Sequence, residues 1–179
     1  MSGKPPMTLR LEEPDLKWID SYRSMVAEFQ SAGETLVPFV MRIPTRDPEA
    51  FLLRLQNCAK GIGIADWFVP HQTYWLLADD REVVGVSNLR LHLNESLLLD
   101  GGHIGLGVRP SRRKLGLGTR LIAETLVKAR EQGITRVLMT CVKSNTASAR
   151  AIRSNGGVLE NEVTVDGHEE AIQRYWIDC

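Results

Sequence analysis

Residues Val108–Thr119 read VRPSRRKLGLGT, and the reading of the whole chain turns on this stretch. A strand ends at Val108, Pro110 interrupts it, Arg112, Arg113 and Lys114 cluster, and Gly116-x-Gly118 opens a helix. Each part suits an anion. A helix N-terminus offers unpaired N–H groups and about half a positive charge. Glycine lets backbone approach phosphate oxygens closely and tolerates φ > 0. Lysine and arginine add charge, and arginine grips two oxygens at once. The stretch is therefore read as a pyrophosphate cradle. A Walker loop would close on Gly-Lys-Ser/Thr, whereas Gly118 is followed by Thr119-Arg120. A dinucleotide fingerprint needs a third glycine where Leu121 stands.

Downstream of this turn, a helix is predicted from about Leu117 to Gln132. Gly118, Leu121, Ile122, Thr125, Leu126 and Ala129 share one face, and Gly133 ends it. Arg136–Val142 is a buried-type strand and Thr146–Ser154 a short helix. Two final strands flank Asp166-Gly167, a two-residue hairpin turn. Upstream, Thr73–Ala78, Glu82–Leu93 and His103–Val108 read as strands, with Asn94–Gly102 a connection. Pro14 opens a helix to about Ser31, and Asp47-Pro48 caps and starts another. Thr8–Glu12 alternates as a short strand, and residues 1–7 are expected to be a disordered tail before one domain over 8–179. This order predicts an α+β fold: a mixed, mostly antiparallel twisted sheet of about seven strands with helices on both faces.

Composition narrows the class. The 179 residues carry 22 basic and 22 acidic side chains, a balance that speaks against a nucleic-acid partner. No apolar run approaches the roughly 20 residues of a membrane helix, and MSGKPPM lacks the apolar core of a signal peptide. Cys58, Cys141 and Cys179 are too few and scattered for a disulfide framework or a zinc site. A soluble, cytoplasmic protein without a metal is expected.

The spacing Arg113-x-x-Gly116-x-Gly118 after a strand ending Val108-x-Pro110, joined downstream by Asn145–Gly157 (NTASARAIRSNGG), resembles the GNAT N-acetyltransferase superfamily. The strings LRLHLNESLLLDGGHIGLGVRPS and RYWI look like a bacterial group of acetyltransferases within it. The resemblance implies acetyl-CoA as cosubstrate, with the central strands splayed around its pantetheine arm. It implies that Arg113, Lys114, Leu115, Gly116, Leu117, Gly118 and Thr119 hold the pyrophosphate. Backbone groups around Leu106–Val108 would pair with the pantetheine amides, with Asn145 on the arm and Ser148 close by. Asn145 also reads as a helix N-cap, and the two roles are compatible. The acceptor would be the primary amine of a small molecule or peptide, and the resemblance leaves a homodimer open.

Direct attack of an amine on a thioester needs a base, a polarised carbonyl and an acid for the thiolate. A backbone N–H near Val108 suits the carbonyl. Many GNAT enzymes place a tyrosine seven residues after the asparagine, and here that position is Ile152. Cys141 or a water is the substitute acid, although Cys141 also reads as a small buried hydrophobe. For the base, His103 is the sequence's candidate: Gly105 and Gly107 follow on its strand face and leave room for an amine. Its alternative is a histidine bonded to a neighbouring strand. Glu95 and Asp100 are the carboxylate alternatives, and His168 is expected to face solvent. If the catalytic groups are lost, an acyl-CoA sensor or interaction module would remain on the same fold.

Overall fold

The computed structural model describes residues 7–179. The first six residues of the expected tail lie outside that range, and Met7 packs against the core. Among the described residues, seven strands form two antiparallel sheets. The first is ordered β1 (Leu9–Glu12), β2 (His71–Ala78), β3 (Glu82–Arg90), β4 (Ile104–Val108); in the second, β7 (Ile172–Asp178) lies between β5 (Arg136–Val142) and β6 (Val158–Val163).

Of the five α-helices among the described residues, four cover the two faces. On one side α1 (Ile19–Ser31) and α2 (Pro48–Ala59) bury Tyr22, Met25, Phe29, Phe51 and Leu55 against Trp75, Leu77 and Val86. On the other, α4 (Leu117–Glu131) and α5 (Thr146–Ser154) close over Leu76, Ile104, Met139 and Tyr175. The α4 stripe matches the predicted face with one change: Leu117 is buried at the helix start, while Gly118 is half-exposed. Gly85 makes that packing close, since a Cβ there would stand 3.1 Å from Leu121 Cδ2.

Local chemistry explains where the elements differ from the sequence reading. Asp47 caps α2 through Ala50 N–H, with Pro48 in the first turn, as expected. The Asn94–Gly102 connection contains a short helix, α3 (Glu95–Leu99), because the Asn94 side chain accepts Leu97 N–H. β3 stops at Arg90, three residues early. The turn at Gly167 exists, with His168 N–H donating to Val165 C=O, but β6 and β7 do not reach it. Residues of the hairpin instead turn toward the end of β5: Lys143 N–H donates to Ala171 C=O, and Ser144 is held by Glu170. Among the described residues no helix is long and apolar enough to cross a membrane.

Candidate functional site

The two sheets meet at one point and separate beyond it. His103 N–H donates to Leu138 C=O at 2.7 Å, and Leu138 N–H donates to His103 Nδ1 at 2.9 Å. Gly102 permits this approach, because a Cβ there would lie 2.4 Å from the Leu138 oxygen. Past this junction β4 pairs with β3 alone. Arg90 N–H donates to His103 C=O, and Arg109 N–H to Val84 C=O. With the register Asn88↔Gly105 and Val86↔Gly107, antiparallel alternation makes those the hydrogen-bonded pairs. Ile104, Leu106 and Val108 therefore aim their N–H and C=O groups away from β3, into the gap before β5. This is a sheet edge inside the molecule.

At the far end of β4 lies the glycine turn. Gly116 is the α4 N-cap, at φ 76°, and no side chain caps the helix. The first intrahelical bond in view is Arg120 N–H to Gly116 C=O, so the N–H groups of Leu117, Gly118 and Thr119 have no partner within the helix. Lys114 is also left-handed, at φ 65°, and both it and Leu115 are exposed. Leu117 contributes backbone only, as its side chain is core. Asn155 clips the start of α4 to the end of α5 by donating to Thr119 and Ala151 carbonyls.

The arginines around the cradle are already engaged. Arg109 bonds Glu28 at 2.6 Å, Arg112 bonds Glu82 at 2.6 Å, and Arg113 holds Glu34 through both nitrogens, at 2.8 and 2.6 Å. Arg113 also donates Nε to Val108 C=O and lies over the Phe29 ring. The Arg113 hydrogen bond holds the Glu34 carboxyl below its usual range. Burial alone would raise Glu28, but hydrogen bonds from Arg109 and Ser111 outweigh it and lower it. Of the predicted trio Arg112, Arg113 and Lys114, only Lys114 lacks an ion-pair partner among the described residues. The positive field at the turn thus comes from backbone and Lys114, with Arg113 partly neutralised.

His103 is buried and has a structural task. Its Nδ1 lone pair takes the Leu138 N–H, and desolvation, aided by the Arg90 charge, pulls its pKa down to about 4. The tautomer is thereby fixed with the proton on Nε2, a donor rather than a base. The expectation that His103 is the base is corrected on this ground; its alternative, a histidine bonded to the neighbouring strand, is what the structure contains. The space expected beside Gly105 and Gly107 is filled as well. A Cβ on Gly107 would stand 2.1 Å from Val37 C=O, and one on Gly105 3.3 Å from Pro38 Cβ. The glycines admit the loop between α1 and α2, not an amine.

His71 is likewise buried, with Nδ1 against Asn88 Nδ2 and its pKa lowered by desolvation to about 4. Within Trp67–Trp75, Trp75 is core, Phe68 packs on Phe39 and His71, and Trp67 is 76% exposed. Ile152 is fully buried, and a Cβ on Gly157 would touch its Cγ2 at 2.5 Å, so this position serves packing. Asn145 caps α5 through Ser148 N–H. Burial pushes the Cys141 thiol up, opposed by a hydrogen bond from Ser148, so Cys141 stays a neutral buried thiol. Glu95 is exposed at the start of α3. Two features were missed from sequence: Glu34 on Arg113, and the pair Asp100–His168, Oδ2 to Nε2 at 2.7 Å. Both join residues far apart in the chain, and no spacing signals them.

An internal sheet edge leading to an uncapped, glycine-built helix start is suited to an extended ligand that ends in phosphate. The sequence profile of the acetyltransferase (GNAT) family matches residues 37–156, and the chain belongs to that family. Its fold is that of solved GNAT acetyltransferases. The Salmonella typhimurium acetyltransferase that modifies the N-terminal serine of ribosomal protein L7/L12 aligns over 96% of this chain and 95% of its own, at TM-score 0.67 and 16% identity. Mycobacterium smegmatis RimJ, in complex with CoA-disulfide, aligns over 96% and 82%, at 0.69 and 18%. The putative acetyltransferase yncA of Salmonella typhimurium, with acetyl-CoA, aligns over 96% and 93%, at 0.62 and 14%. No protein of curated function matches the sequence.

Proposed function

We propose that the protein is an acetyl-CoA-dependent N-acetyltransferase that moves the acetyl group to the primary amine of a small molecule or peptide in a ternary complex. The observation that carries this reading is the unpaired edge of β4 running into the uncapped start of α4. An arm with amide groups adds to that edge as a strand would, through N–H and C=O of Leu106 and N–H of Val108. The N–H groups of Leu117, Gly118 and Thr119 take the pyrophosphate, with Gly116 giving the turn and Lys114 the charge. Leu115 flanks this turn. Arg113 joins once it leaves Glu34. Asn145 and Ser148 stand at the start of α5, where the arm would pass. A backbone N–H of this edge that the arm leaves free is suited to polarise the thioester carbonyl. Relatives of the same fold were solved with acetyl-CoA or with CoA-disulfide, which agrees with this cosubstrate.

We read residues 8–179 as one domain, acting in the cytoplasm without a metal, and a homodimer stays open. Ile152 favours one second reading, an acyl-CoA sensor that lacks turnover, because the tyrosine usual at that place is missing. Thiol release from acetyl-CoA, measured with peptides of free N-terminus and with spermidine, separates the two. Amine-dependent release and an acetylated product support the enzyme. Thermal stabilisation by CoA without release would favour the sensor.

A further inference from the structure

With His103 occupied by Leu138, and resting on the acetyltransferase reading, we propose that His168 is the general base for the acceptor amine, held by Asp100. Asp100 is fixed at the root of the split. Its neighbour Gly101 donates N–H to Thr140 Oγ1 at 3.0 Å, and Arg90 Nη1 donates to the carbonyls of Gly101 and Gly102 at 2.8 and 2.9 Å. Thr140 lies two residues beyond Leu138, where β5 has begun to leave β4. The β6–β7 hairpin brings His168 to this point from the other sheet, anchored by Ala171 and Glu170 to Lys143 and Ser144. The pair therefore spans the two sheets beside the gap.

Its chemistry differs from that of the buried histidines. His71 and His103 are enclosed, while His168 and Asp100 side chains are 36% and 32% exposed, so an acceptor can meet the ring. Nε2 faces Asp100 Oδ2, which leaves Nδ1 for the substrate. With Nε2–H donated to the carboxylate, Nδ1 carries the lone pair, and the carboxylate stabilises the imidazolium that forms. Charged groups around the pair are Arg90 from β3, itself bound to carbonyls, Arg174 from β7, bound to Glu160 and Asn161, and Glu169 and Glu170 of the hairpin. In the step itself, Nδ1 accepts one proton from the acceptor ammonium. The freed amine forms the C–N bond to the acetyl carbon and gives up its remaining extra proton to solvent. The C–S bond breaks with its electron pair on sulfur, and the thiolate takes a proton from water.

The test is steady-state kinetics of wild type, His168→Ala and Asp100→Asn with acetyl-CoA. The acceptors are spermidine and peptides with free Ser, Ala, Thr or Met N-termini, each run with and without added imidazole. His168→Ala should lose about 100-fold in kcat, recover part of it in imidazole, and keep its KM for acetyl-CoA. Asp100→Asn should lose about tenfold and gain nothing from imidazole. A loss in His168→Ala below about fivefold, or one that imidazole does not recover, overturns the assignment. Wild type inactive on every acceptor overturns the acetyltransferase reading and the base with it. An active wild type beside an equally active His168→Ala overturns the base alone.

Discussion

The imidazole of His103 joins the two sheets by accepting the backbone N–H of Leu138 at 2.9 Å, and this fixes where β4 and β5 part. Folding holds the ring neutral in a buried place, as it does His71. Both folded pKa values, about 4, lie below the 6.5 of a free histidine. As pH falls through that window the unfolded chain binds protons that the folded chain refuses. Stability is therefore complete above about pH 7 and declines toward pH 4, by on the order of 3 kcal/mol for each ring. Urea unfolding at pH 7.5, 6 and 5 measures this, and His103→Gln should roughly halve the slope. A stability unchanged from pH 7.5 to 5 would contradict it.

Arg113 has two competing partners, the Glu34 carboxylate and the phosphates expected at the cradle. Glu34→Gln should release the guanidinium and tighten CoA binding about three- to tenfold, with a stability cost below about 1 kcal/mol for so exposed a pair. Calorimetric titration with CoA at low salt reads this directly. Equal or weaker affinity in Glu34→Gln would mean that Arg113 does not reach the phosphates.

Much of this was legible in the chain because it is local. The α4 stripe, the Asp47 cap and the Gly116 turn each depend on residues within a few positions, where period and capping rules apply. The mostly antiparallel α+β class followed from element order and the family likeness. What escaped reading depends on contacts between distant residues. Alternation along β4 puts Gly105 and Gly107 on one face, but nothing local says that Val37 and Pro38 fill the space beside them. Arg113–Glu34 and Asp100–His168 span 79 and 68 positions (113 minus 34; 168 minus 100), and only the folded sheet brings them together.

Ile152 fills the core beneath α5, so restoring the family's tyrosine there would bury a phenol among Ile152's apolar neighbours. Ile152→Tyr should destabilise the fold by about 1–3 kcal/mol, from overpacking and an unpaired hydroxyl, without raising turnover. Thermal unfolding and thiol release on the same preparation check both parts. A faster, equally stable variant would show that the position faces the sulfur after all.

CoA-dependent thermal stabilisation of wild type against Gly116→Asp tests most directly whether β4 and the start of α4 form the CoA site. Gly116 has φ 76° and open space where a Cβ would stand, so the substitution sets a carboxylate at the phosphate position and strains the turn without a clash. Wild type should gain several degrees in saturating CoA, and Gly116→Asp, still folded, should gain none. Equal stabilisation of the two proteins would contradict the site.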